Sequence, residues 1–192
     1  MTANDKTTWK QYKTTFPKGT KYVAIKHTSY DMFCLFFDDF CFEEVKPKPL
    51  PYTYSFENND LEGEGWSLVD CEANTKIQSE YTHEGNYGFS FRYTFNPPQY
   101  LISPQLEGTT SVAVSFYYKN QNNNYPETFQ VGYSTTGNSP DAFTWGSEMT
   151  ANDKTTWKQY KATFPEGTKY VAVKYTSNDK HHLILGDFCF EE

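Results

Sequence analysis

The phrase MTANDKTTWKQYK stands at Met149–Lys161 and, letter for letter, at Met1–Lys13. Extended to Glu192 and Glu44, the two stretches agree at 33 of 44 positions. A repeat of this kind decides what counts as a domain before any element is assigned. Within the second copy, "KQYKATF", "KYVAVKYT" and "HLILGDFCF" alternate apolar and polar residues and are parted by the turn formers "FPEGT" and "TSNDK". That is the period-two signature of half-buried strands. Upstream, "YGFSFRYTF", "SVAVSFYYK" and "TFQVGYSTT" read the same way, with "SPQLEGTTS", "NNNYP" and "GNSPD" as turns. Aromatic residues make up 19% of the chain, a composition suited to strands, and no long stretch with a period of 3.6 competes. The expected fold is all-β: a two-sheet antiparallel jelly-roll sandwich, preceded by a partial C-terminal repeat of a neighbouring domain.

The domain boundaries follow from the same repeat. "VKPKPLP" at Val45–Pro51 carries three prolines, which interrupt helix and central strand alike, so residues 45–51 read as a linker. Residues 52–192 form the complete domain, because a chain of about 140 residues buries roughly two thirds of its unfolded surface. Residues 1–44 are too few for that and read as the closing part of a preceding repeat, holding about three strands. The front part, Tyr52 to Glu148, can in principle be closed by either copy. The adjacent copy is expected to win, since no proline linker separates it. Residues 1–44 then fray, pack on the outside, or enter another molecule to give a domain-swapped oligomer.

Charge narrows the partners. The chain carries a net charge of −7, divided as +2 over residues 1–48 and −9 over residues 49–192, with Arg92 its one arginine. Such a domain is poorly suited to nucleic acid and better suited to a hard cation. No run of about 18 apolar residues is present, so no membrane insertion is expected, and Met1 is not followed by a signal segment. Met1 is the mate of the internal Met149, and the start reads as an arbitrary point inside a longer gene. Of the four cysteines, Cys34 and Cys41 are about 23 Å apart along one strand and cannot bond each other without a turn. Cys71 with Cys189 is a pair that could form; buried free thiols are the simpler expectation.

Asp187 lies inside "LILGDFCF", and an ionised carboxylate in apolar surroundings requires a partner. Arg92, a lysine or a metal could serve. Glu57, in "YSFENND", falls in the expected first strand, which in jelly rolls runs beside the last. Together with Asp60 and loop carbonyls, Glu57 and Asp187 would form an oxygen-rich, structural Ca²⁺ site. The alternative places Glu57 in solvent and pairs Asp187 with Arg92 or lets it cap a bulge. No H-E-x-x-H, G-x-S-x-G or glycine-rich phosphate loop appears, and no catalytic activity is expected. Three loops offer polar and aromatic groups for binding: Lys119–Glu127 with Asn122, Asn123, Asn124 and Tyr125; Glu80–Tyr87 with His83 and Asn86; and Ser177–His182 with His181 and His182. Trp9 and its mate Trp157 read as packing residues rather than as platforms for a sugar ring.

Four motifs in order, "YLISPQLEGTTSVAVSFYYK", "NYPETFQVGYSTTGNSPDAFT", "WKQYKATFPEGTKYVAVKYTSNDK" and "GDFCFEE", make residues 50–192 resemble the cleaved adhesin domains of gingipain-type peptidases and related haemagglutinins. The same outline is more distantly similar to MAM domains. The resemblance implies a secreted or cell-surface adhesin of tandem jelly rolls, non-catalytic, binding host proteins or cell-surface glycans, and it strengthens the case for Ca²⁺ at Glu57 and Asp187. Two departures stand out: Gly186 replaces an aspartate that the family pattern favours, and "WSLVDCEANT" leaves Asp70 only a weak ligand. The alternative function is an accessory carbohydrate-binding module of a secreted peptidase or glycan-active enzyme. A third is a spacer without a ligand.

Overall fold

The computed structural model describes residues 7–12, 14, 16, 20–30, 34–44 and 46–192. The chain divides into two units, Met1–Val45 and Lys46–Glu192. In the first, no strand forms among the described residues, and Trp9, Tyr22, Phe36 and Phe42 are exposed. Strands were expected there. A strand is stable only with a ladder partner and a second layer for its apolar face, and the described residues of this unit provide neither. Met1–Lys6, the start of the repeated phrase, lies outside the described residues.

The second unit is a sandwich of two antiparallel sheets. One sheet runs β10 (Lys158–Phe164), β6 (Val112–Asn120), β12 (His182–Glu191), β4 (Gly88–Arg92), β3 (Lys76–Gln78), with β1 (Tyr52–Tyr54) paired to the far end of β12. The other runs β2 (Ser67–Val69), β5 (Gln99–Ile102), β11 (Tyr170–Tyr175), β7 (Glu127–Ser134), β8 (Thr144–Trp145), and β9 (Met149–Ala151) also pairs with β7. First and last strands lie side by side as expected, Tyr52 opposite Phe190 and Tyr54 opposite Phe188. The strands β2, β3, β5, β8 and β9 were not anticipated. They are two to four residues long, too short to establish an alternation.

β12 organises the fold. Its first half pairs with β4, its second with β1, and its whole length with β6. Leu183 and Leu185 face the core before a register shift between Gly186 and Cys189; Phe188 and Phe190 face it afterwards. The inserted residue changes the parity of the alternation, so both halves bury their large side chains on the same side. Asp187 occupies that bulge with a left-handed φ of 49°. Phe188 packs against Phe116 at 4.6 Å between ring centroids and against Trp66 at 5.0 Å. Burying each such side chain contributes about 1.5–3 kcal/mol.

Other expectations are modified. Lys48, inside the proline-rich segment, donates its N–H to the Gln105 carbonyl at 2.7 Å, and its ammonium pairs with Glu64 at 2.9 Å, so this part of the segment is docked on the sandwich. All four cysteines are free; Cys34 and Cys41 are exposed rather than buried. Cys71 points its thiol at the Val69 and Tyr100 carbonyls, and burial raises its pKa to about 11. No described helix is long and apolar enough to cross a membrane.

Candidate functional site

The loop 80–87 between β3 and β4 folds over the outer face of the first sheet. Glu57 holds one end of it. Its carboxylate accepts N–H bonds from Asn86 at 2.9 Å and Tyr87 at 2.9 Å, and another from the Asn86 amide at 3.1 Å, and these bonds lower its pKa. Gly85, at φ 69°, passes so close that a Cβ there would lie 2.5 Å from Glu57 Oε1. His83 holds the other end: its Nδ1 lies 2.6 Å from Asp187 Oδ2, and its ring stacks on Tyr117 at 3.8 Å and meets Trp157 edge-on at 5.2 Å. Room for the imidazole exists because Gly186 has no side chain; a Cβ there would sit 3.0 Å from His83 Cβ. The side chain that meets Asp187 is therefore His83 rather than Arg92 or a lysine. Trp157 belongs to this outer face, with Lys119 Nζ 4.6 Å over its ring, and not to the core as expected; Trp9 is 70% exposed.

The three acids expected to hold Ca²⁺ do not converge. Glu57 lies beyond β1 rather than within it, its oxygens turned to amide donors. Asp60 accepts the Gly63 N–H at 2.8 Å within its own turn. Asp187 faces an imidazole. Among the described residues no group of three His, Cys, Asp or Glu side chains forms a metal cage. As placed, these residues do not fit the cation, and positively polarised N–H groups occupy the positions that ligation would need.

A second feature lies at one end of the sandwich, where the segments after β4, β6 and β11 meet. There Arg92, Tyr93, Phe95, Gln121 and Asp179–His182 line a cleft of about 430 Å³. Its frame is fixed from beneath. Glu127, fully buried, accepts the Tyr175 hydroxyl at 2.8 Å and the His181 N–H at 2.6 Å, and the same charge together with burial pushes the Tyr175 pKa up. Asp179 donates its N–H to the Thr94 carbonyl at 2.9 Å, Gln121 donates to the His182 carbonyl at 3.1 Å, and the Gln121 amide reaches the Tyr81 hydroxyl. The walls are aromatic: Tyr93 and Phe95 meet edge to face at 5.9 Å, and Phe95 is 65% exposed.

Of the residues expected in binding loops, His181 and His182 line this cleft, and Tyr125 borders it through a ring contact with His181 at 4.7 Å. Asn122 accepts the Asn124 N–H at 3.0 Å within the loop, and Asn123 accepts the Lys154 N–H at 2.7 Å, tying the loop to the segment after β9. Asn124 contributes its backbone to that same turn. His83 and Asn86 belong to the clasp over the sheet. Gln121 falls within the expected loop Lys119–Glu127, whereas sequence reasoning missed Arg92, Tyr93 and Phe95 as cleft residues. The signal available was "FRYTF", where the one arginine of an acidic domain stands beside alternating aromatics.

The Cleaved Adhesin Domain profile matches residues 2–42 and 40–189. Gingipain R1 of Porphyromonas gingivalis is 30% identical over an alignment covering 95% of this chain; the chain spans 13% of the length of that relative. Among solved structures, the K1 cleaved adhesin domain of Lys-gingipain from the same organism superposes with a TM-score of 0.64 at 25% identity, covering 73% of this chain and 96% of that one. A module named TmCBM61, solved with β-1,4-galactotriose, superposes with a TM-score of 0.55 at 14% identity over 71% of this chain and 92% of its own, a likeness of fold alone. With both ends of the repeat and the whole sandwich matched, the chain belongs to the Cleaved Adhesin Domain family.

Proposed function

We propose that this chain is an adhesion module that attaches its parent protein, outside the cell, to saccharides of cell surfaces without catalysing a reaction on them. The cleft at the end of the sandwich carries the reading. It is an open depression of about 430 Å³ that sets the exposed face of Phe95 beside the Asp179 carboxylate and the Lys180 ammonium, groups that exchange hydrogen bonds with hydroxyls. A protein partner would instead call for about 800 Å² of complementary surface on each side. The other notable pair, His83 with Asp187, faces the rings of Tyr117 and Trp157 rather than a nucleophile, and acts as a clasp. An accessory module of a secreted peptidase or glycan-active enzyme would use the same cleft. The test is a glycan array probed with the chain and with Phe95→Ala. Selective binding that Phe95→Ala abolishes supports the reading; an array without signal, with cell attachment unchanged by Phe95→Ala, overturns it.

A further inference from the structure

We infer that the saccharide carries a carboxylate, as a uronate or a sialate residue does, and that Arg92 receives it. The inference rests on the saccharide reading above and adds the chemical class.

Residues 49–192 carry a net charge of −9, yet their one arginine and Lys180 line the same cleft with Asp179 as its single acid. The ion pairs among the described residues are Lys48 with Glu64 and His83 with Asp187, so neither Arg92 nor Lys180 has a carboxylate partner. What Arg92 does touch is an aromatic face, its guanidinium lying 5.0 Å from the centre of the Tyr93 ring. That cation–π contact uses none of the guanidinium N–H donors, and their fork matches the two oxygens of a carboxylate. A half-buried cation without a counter-ion is costly, and an arriving carboxylate relieves the cost.

His182, directly across the ladder from Arg92, does not share the charge. Burial first, and then the Arg92 charge and His181, lower its pKa to about 4. The repeat supplies an independent observation. Lys180, His181 and His182 have Met32, Phe33 and Cys34 as their mates, while "DFCFEE" closes both copies unchanged. At these three neighbouring positions a basic and two imidazole side chains stand where the other copy has two apolar residues and a thiol.

The test is calorimetric titration of the full chain with two matched pairs: sialyllactose against lactose, and digalacturonate against galactobiose. At least one acid is expected to bind about tenfold or more tightly than its neutral counterpart, the scale of one charge-assisted hydrogen bond, and the pair that shows it identifies the source of the carboxylate. Arg92→Gln is expected to remove that preference, with the circular dichroism spectrum unchanged. Lys180→Gln, on an exposed side chain, is the second probe, with a loss of severalfold. Equal affinity within both pairs, or an acid preference that survives both substitutions, overturns the inference and leaves the saccharide reading standing. Absence of binding by all four sugars, with a blank array, removes both.

Discussion

Replacing Gly186 by aspartate, the residue that its mate Asp38 supplies in the other copy, is expected to lower stability by about 1–3 kcal/mol, the usual cost of overfilling a packed site. The geometry sets the sign. A Cβ at Gly186 would meet His83 Cβ at 3.0 Å, His83 N at 3.8 Å and Trp157 at 3.9 Å. The last two are ordinary contacts; the first requires His83 to retreat. His83 has little freedom to do so, because Asp187 holds its Nδ1 at 2.6 Å, Tyr117 lies flat against its ring at 3.8 Å, and Glu57 fixes the following residues through the Asn86 and Tyr87 amides. The new carboxylate also stands next to Asp187 in sequence, and like charges repel. For a domain of this size each kcal/mol shifts the melting temperature by about 2–4 °C, so a loss of about 2–12 °C is expected in thermal unfolding followed by circular dichroism. Gly186→Ala isolates the steric part; its loss is smaller, since it adds the β-carbon without a second carboxylate beside Asp187. Truncating His83 to alanine in the same molecule should make the two effects non-additive, the second substitution costing less than it does alone. A Gly186→Asp protein melting within about 1 °C of wild type would refute the argument, because the loop 80–87 could not then be seated on β12.

Two further outcomes follow from groups already placed. His182 stays neutral to about pH 4 against an ordinary 6.5; between those values the unfolded chain binds the proton and the native state does not, so this contribution to stability is present above pH 6.5 and is lost as the pH falls toward 4. Melting temperatures from pH 7 to 4 should fall less steeply for His182→Gln, since the acids whose pKa values are held low, Glu57 and Asp153, contribute equally in both proteins; parallel curves would dispose of the argument. Calcium would require Glu57 to release the Asn86 and Tyr87 amides, so melting with chelator or with added Ca²⁺ is expected to agree within about 1 °C, and a rise of several degrees on adding Ca²⁺ would show that the loop re-forms around the cation.

The alternating runs that became β6, β7, β10, β11 and β12 were legible because each is six to ten residues long and buries one face. Side-by-side placement of the first and last strands was legible too. The bulge in β12 was legible only as the alternative that put Glu57 in solvent and Asp187 at a bulge: "LILGDFCF" contains an acid between two apolar runs, and it is the register shift that shows the acid marking an extra residue and not a buried charge. That distinction decided the partner of Asp187. A carboxylate read as buried asks for a metal, whereas one turned outward at a bulge is met by a loop residue 104 positions away in sequence. The cleft was only half visible, since His181 and His182 are adjacent in sequence to each other but reach Arg92 and Gln121 only through the pairing of β12 with β4 and the bond from Gln121 to the His182 carbonyl.

Once β12 is in place, the differences between the two copies are seen to fall both in the core and at the surface. Thirty-three of the 44 positions agree between the copies, among them the pairs whose second members, Leu183, Phe188 and Phe190, are buried in the core. The mates of Met32, Phe33, Cys34 and Asp38 are Lys180, His181, His182 and Gly186, and these line the cleft or make room for His83. Val173, Tyr175, Ile184 and Leu185 are buried, yet their mates are Ile25, His27, Phe36 and Phe37, and such exchanges are felt throughout a close-packed interior. Positions at a loop end and under a clasp are constrained only by what they touch, so they are where one framework acquires a different ligand. By that reasoning the two copies are not interchangeable closures of one domain. Phe37 would have to occupy the site of the fully buried Leu185, and Asp38 that of Gly186, so the front that Tyr52–Glu148 presents selects Met149–Glu192 by shape as well as by its place in the chain.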